Sequence, residues 1–221
     1  SMFLDELTLL QKIAVSALPI LFAVVLHEVA HGWVARYCGD NTAWQQGRLS
    51  LNPLSHIDPI GTILVPLLLV VTVGFVFGWA KPVPINWANL RHPRRDMMLV
   101  AAAGPTANLL MALFWALMLK LSLVLPVEAD WVVRPLNYMA QFGILVNIIL
   151  MIFNLLPLPP LDGGRIAVNL LPHPWGGYLA RVEPYGFFVI LILLATGVLA
   201  RLIWPAIQST IFMILKLFGL A

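Results

Sequence analysis

Residues 17–31 read ALPILFAVVLHEVAH: an apolar run that closes on three ionisable groups, His27, Glu28 and His31. Outward from it, apolar character extends over 7–37 and ends at Gly39, whose missing Cβ suits a helix C-terminus. That is more than the roughly 20 residues a helix needs to cross a bilayer. Inside a membrane helix each ionisable group costs ~2.5 kcal/mol or more unless paired, so such groups mark function by default. In a soluble helix the same three residues would read equally well as an internal hydrogen-bond cluster.

The rest of the chain agrees with a membrane setting. Of its 221 residues 61% are hydrophobic and only 10% charged, with a mean hydropathy of +0.91; soluble domains carry about 25% charged residues. Further apolar segments cover 60–77, 97–125, 136–156, 185–204 and 206–220. The segment at 60–77 is interrupted by Pro66 and Gly74. The loop before it holds Arg36 and Arg48, and the loop after it Lys81, Arg91, Arg94 and Arg95. Basic loops stay on the cytoplasmic side, so this segment is expected to re-enter rather than cross, next to a water-accessible site. A plain crossing helix is the alternative. Residues 47–51 alternate like an edge strand, and at 78–86 Pro82 and Pro84 exclude a helix.

The expected fold is therefore an all-α polytopic membrane protein with about five transmembrane helices, one re-entrant segment and a small membrane-associated β element. It forms a single domain over 1–221, with a core over 7–171 and C-terminal helices over 185–220. Ser1 before Met2 reads as an expression remnant. Asp5 and Glu6 stand where a signal peptide needs positive charge, so the first helix is expected to be retained. The net charge of +3 sits in loops, which fits topology control and contact with anionic lipid, and gives no nucleic-acid stripe. Cys38 is the only cysteine, which excludes internal disulfides and multi-thiolate metal sites.

Residues four apart share a helix face, so His27 and His31 can direct two imidazoles at one metal ion, with Glu28 placed to act as general base on a water. A catalytic zinc takes three protein ligands and keeps one position open. The candidate third ligand is Asp162 in NLLPLPPLDGGR (154–165), where three prolines hold the chain extended and two glycines permit close packing. The competing role for Asp162 is to cap a short helix over 163–171.

HEVAH on a membrane helix, followed far downstream by Asn154, Pro157, Pro159, Leu161, Asp162 and Gly163 in the pattern N-x-x-P-x-P-x-L-D-G, resembles the site-2 protease family of intramembrane zinc metalloproteases. Gly104, Pro105 and Asn108 (GPTAN) match a further family feature. The resemblance covers about 25–165. It implies one zinc per chain on His27, His31 and Asp162, with Glu28 as catalytic base, and a transmembrane protein substrate cut within the lipid bilayer. It also implies that Asn154 and Asn108 bind the substrate backbone or oxyanion, and that the two extended pieces clamp an unwound substrate. No PDZ-like or nucleotide-sensing (CBS) domain is seen, so a minimal form is expected. Its place would be a prokaryotic cell (inner) membrane, with the active site toward the cytoplasm.

A transporter or channel could use buried His and Asp residues as an ion pathway, but has no need of Glu28 between the histidines. A scaffold would leave all of them without a purpose. His56 and Asp58 are read as a loop hydrogen-bond network, and His92 and His173 as surface residues.

Overall fold

The computed structural model describes residues 8–65, 68, 80–125 and 130–221. The first apolar run forms α1 (Leu9–Tyr37), started by a capping box in which Thr8 and Gln11 satisfy each other's free amides. A single turn, α2 (Thr42–Gln45), leads to a 3-10 turn at Pro53–His56 and a π-helical turn at Pro59–Leu64. Beyond that turn, most of the expected re-entrant segment lies outside the described residues. After the non-helical stretch 80–86 and a 3-10 turn (Trp87–Asn89) comes α3 (Pro93–Val124). It starts four residues before the apolar segment expected from residue 97, because Pro93 at the first helical position has its φ preset and no amide to leave unpaired. Then follow α4 (Asp130–Asn154), α5 (Asp162–Leu170), α6 (Trp175–Ala180), α7 (Glu183–Ala195) and α8 (Val198–Leu217).

Helices α1, α3 and α4 pack against one another, and α8 closes onto α3 and α4. Ala112 and Ala116 of α3 and Ala140 of α4 are fully buried, beside Trp115, Ile144, Ile148, Ile207 and Ile214. Lipid tails are as apolar as leucine, so helix association in a bilayer relies on close backbone approach at small residues. Large apolar side chains meanwhile face outward, among them Leu110, Phe114 and Leu121 of α3 and Phe212, Met213 and Leu217 of α8. An exposed surface of this kind is what lipid covers. This is an integral membrane protein.

Two expectations need correction. Four described helices are long and apolar enough to cross: Ile13–Tyr37, Pro93–Val124, Val132–Asn154 and Val198–Leu217. The expected helices at 185–204 and 206–220 are instead divided at Gly197, whose left-handed φ of 70° is open to glycine at no steric cost, while Pro205 sits inside α8. That leaves α7 with 13 residues, too short for a full crossing. The β element is not seen either: there is no strand among the described residues, which include 47–51 and 80–86. The physical reason lies in the donors of 80–86. Pro82 and Pro84 have none. The Lys81 amide donates to His56 O (2.8 Å), the Val83 amide to a Glu28 oxygen (2.9 Å) and the Asn86 amide to an Asp40 oxygen (2.8 Å), so these three are spent outside any ladder.

Candidate metal centre

One turn of α1 places His27 and His31 on the same face, with their Nε2 atoms 3.1 Å apart and both residues buried. The loop after α4 brings Asp162 to them. Gly163 and Gly164 lie directly on the backbone of 155–156 and 158–159, where any Cβ would collide, so this doubling-back of the chain requires glycine at both positions. Asp162 is the first residue of α5, and the preceding Leu161 makes no side-chain cap. The carboxylate turns inward instead, with Oδ2 at 3.3 Å from His27 Nε2 and 3.4 Å from His31 Nε2. That oxygen is buried without a hydrogen-bond partner.

These three atoms fit a zinc ion. Tetrahedral zinc with bonds of about 2.0–2.1 Å to N and O ligands sets its ligand atoms roughly 3.3–3.4 Å apart. The observed triangle of 3.1, 3.3 and 3.4 Å has that size. The donor set is also the imidazole and carboxylate chemistry that zinc accepts, and an orphaned buried carboxylate oxygen is costly without a cation.

The far nitrogen of each imidazole is held. His31 Nδ1 lies 2.7 Å from Val100 O, which only accepts, so Nδ1 carries the proton and Nε2 presents its lone pair to the triangle. His27 Nδ1 lies 2.7 Å from Asn108 Oδ1. Gly104 of α3 faces both rings, and a Cβ there would stand 2.5 Å from His27 Cε1 and His31 Nε2. Glu28 opens with the histidines onto a cavity of about 900 Å³, lined also by Val83, Asn154 and Asp162. On its other side Asp40 ties the loop in. Burial pushes the Asp40 carboxyl up, but hydrogen bonds from Thr42, Asn89 and Asn86 together outweigh it and hold it below the usual carboxylate range.

Comparison with known proteins gives this geometry a family. The pattern of Peptidase family M50 matches residues 127–196, a span that includes Asn154 and Asp162. The chain is 40% identical over 202 residues to the Putative zinc metalloprotease YwhC of Bacillus subtilis, covering 90% of this chain and 89% of that protein. It is 32% identical over 187 residues to Rip2 of Mycolicibacterium smegmatis, which carries the same description, covering 82% and 66%. No solved structure matches.

The chain belongs to peptidase family M50, the site-2 proteases. It is a metalloendopeptidase of a zinc-dependent family. Among the M50 residues expected from sequence, the structure brings His27, Glu28, His31, Asn154 and Asp162 to one cavity. Asn154 donates to Leu150 O at 2.9 Å, which leaves its carbonyl oxygen for another partner. Asn108, expected at the substrate, is fully buried between helices, and both its polar atoms are taken by protein groups. His56 is likewise turned away, with Nε2 2.9 Å from Ser50 O. Sequence reasoning missed Asn147, the Val83 amide on Glu28, and Arg165 stacked over Trp87 at 5.0 Å. Only Asn147 had a visible signal, an amide inside the apolar stretch 143–153 of its helix.

Proposed function

We propose that this M50 protein is an intramembrane endopeptidase that cuts a peptide bond within or near the transmembrane segment of a membrane-protein substrate. The observation that carries the reading is the buried, unpartnered oxygen of Asp162 closing a triangle with two imidazoles on a membrane helix, at the wall of a cavity that also holds Glu28. His27, His31 and Asp162 are assigned as the ligands of one zinc per chain. A zinc ion held there supplies Lewis-acid polarisation of the scissile carbonyl and a water acidic enough to attack near neutral pH.

Glu28 has the role of base. One carboxylate oxygen accepts the Val83 amide at 2.9 Å, which orients the group and leaves the other oxygen to take a proton from the attacking water and return it to the leaving amine. Asn154, through the face not used on Leu150, is placed to meet the substrate backbone or the oxyanion. The substrate peptide must be unwound before it is cut, since a helix hides its amides. Residues 80–86, one wall of the cavity, are positioned to hold it. The proposed setting is a prokaryotic cell (inner) membrane with the active site toward the cytoplasm, a side that the basic residues Lys81, Arg91, Arg94 and Arg95 support. Phe187 and Ile190 of α7 also line the cavity, so the C-terminal helices belong to the same functional unit as the core.

Glu28→Gln tests the mechanism. Purified in detergent, the variant should retain one zinc per chain while cleavage of a reconstituted transmembrane substrate falls by about 10²–10⁴, the usual worth of a general base. Cleavage at the wild-type rate would overturn the role of Glu28.

A further inference from the structure

The Asn108 amide has a determined orientation. Its Nδ2 donates to Ala23 O of α1 at 3.1 Å and to Asn147 Oδ1 of α4 at 2.9 Å, so its Oδ1 must be the atom that faces His27 Nδ1 at 2.7 Å. Asn147 is in turn oriented by its own Nδ2, which donates to Gly143 O at 2.9 Å. Neither asparagine has any exposed surface. Each has an acceptor and a donor in use, and the order of the bonds runs one way, from Gly143 O through Asn147 and Asn108 to His27.

We infer that Asn108 and Asn147 form a positioning relay across α4, α3 and α1, which fixes His27 as the Nδ1–H tautomer and aims its Nε2 lone pair at the metal triangle. The inference rests on the ligand assignment proposed above. A partner on the far nitrogen of a metal-bound histidine locks the ring and raises its basicity, and loss of that partner weakens metal binding by about 10- to 100-fold. An amide serves where a carboxylate would not: the same group has to accept from His27 and donate to Ala23 O and Asn147. Asn108→Asp would set a carboxylate oxygen against those two acceptors. Asn147 touches no ligand, so any effect on metal binding must pass through Asn108.

The test is zinc affinity by chelator competition on the full chain in detergent, with the cobalt(II) absorption spectrum as a second readout. Asn108→Leu should bind zinc about 10- to 100-fold more weakly and Asn147→Leu less severely, both with a shifted cobalt band. Asn154→Ala, inside the cavity but off the relay, should bind as wild type. Wild-type affinity and spectrum in a folded Asn108→Leu would overturn the relay. If that variant does not fold, unchanged affinity in Asn147→Leu overturns it equally. Undiminished zinc in Asp162→Ala would instead strike the ligand assignment beneath it.

Discussion

On one side of the cavity, where α1, α3 and α4 meet, His27, His31, Asn108 and Asn147 bond to atoms of those same three helices. The opposite side, 80–91, has two prolines and is tethered to loops: Lys81 to His56 O, Asn86 and Asn89 to Asp40, and Arg91 to Cys38 O. The two constructions match two different demands. A metal ion needs ligand atoms fixed to within a few tenths of an ångström, which helices packed at alanine and glycine supply. A wall beside the base must admit a peptide, and a segment held by a few separate bonds opens at lower cost than a packed helix. The amide of Val83 on Glu28 joins the two sides directly at the base.

The largest effect is expected from disturbing the helical side at its tightest point. Gly104→Ala puts a methyl group 2.5 Å from both imidazoles, so either the rings or α3 must move. Overpacking of this kind costs about 1–3 kcal/mol. The variant should melt earlier in detergent and lose zinc affinity at least in step with Asn108→Leu. Unchanged melting and metal binding would mean that α3 does not hold the rings as described.

The loop side is expected to respond to acid instead. The folded Asp40 carboxyl lies below its unfolded value of about 3.9, so it contributes stability that is complete above that pH and lost as pH falls through the folded value. Asp40→Asn should therefore lower the melting temperature by a few degrees at neutral pH, and the gap to wild type should begin to narrow below about pH 4 and close as pH falls through the lower folded value, where the Asp40 carboxyl becomes uncharged. Zinc affinity should stay unchanged, because Asp40 anchors 86–89 rather than the histidines. A gap that persists undiminished in acid would show that the Asp40 charge is not what anchors the loop.

How far the sequence could be read follows the same division. The helical side was legible: the i, i+4 spacing of His27 and His31 fixes their common face, and the proline and glycine pattern around Asp162 announces a rigid return of the chain. Asn108 was visible as a polar residue in an apolar helix, yet its role depends on which helix lies opposite, which no local pattern encodes. The loop side was misread in one respect. Alternation at 47–51 and prolines at 82 and 84 suggest edge strands, but whether a strand forms depends on free donors, and these go to Glu28, Asp40 and His56. Likewise the C-terminal apolar stretch reads as divided between 204 and 206, while the chain turns at Gly197.

The smallest effect is expected at the rim, where Arg165 of α5 joins the two sides. Its guanidinium lies 5.0 Å from the Trp87 ring centroid and 3.1 Å from Glu183. The ion pair is between side chains one-third and nearly one-half exposed, so solvent screening leaves it about 0–1 kcal/mol, and a cation over a half-buried ring adds about 0.5–1. Arg165→Ala should thus leave melting temperature and zinc content almost unchanged. What it removes is the clasp between Trp87 and the helix that carries Asp162, so KM for a transmembrane substrate should rise a few-fold with kcat retained. Arg165→Lys separates the two contributions. Lysine keeps the charge for Glu183 but loses the flat group that stacks on the indole. A Lys variant that behaves like Ala assigns the clasp to stacking on Trp87; one that behaves like wild type assigns it to Glu183. A fall in kcat or zinc in either variant would mean that Arg165 acts on Asp162 itself, and that rim and metal centre are not separate parts.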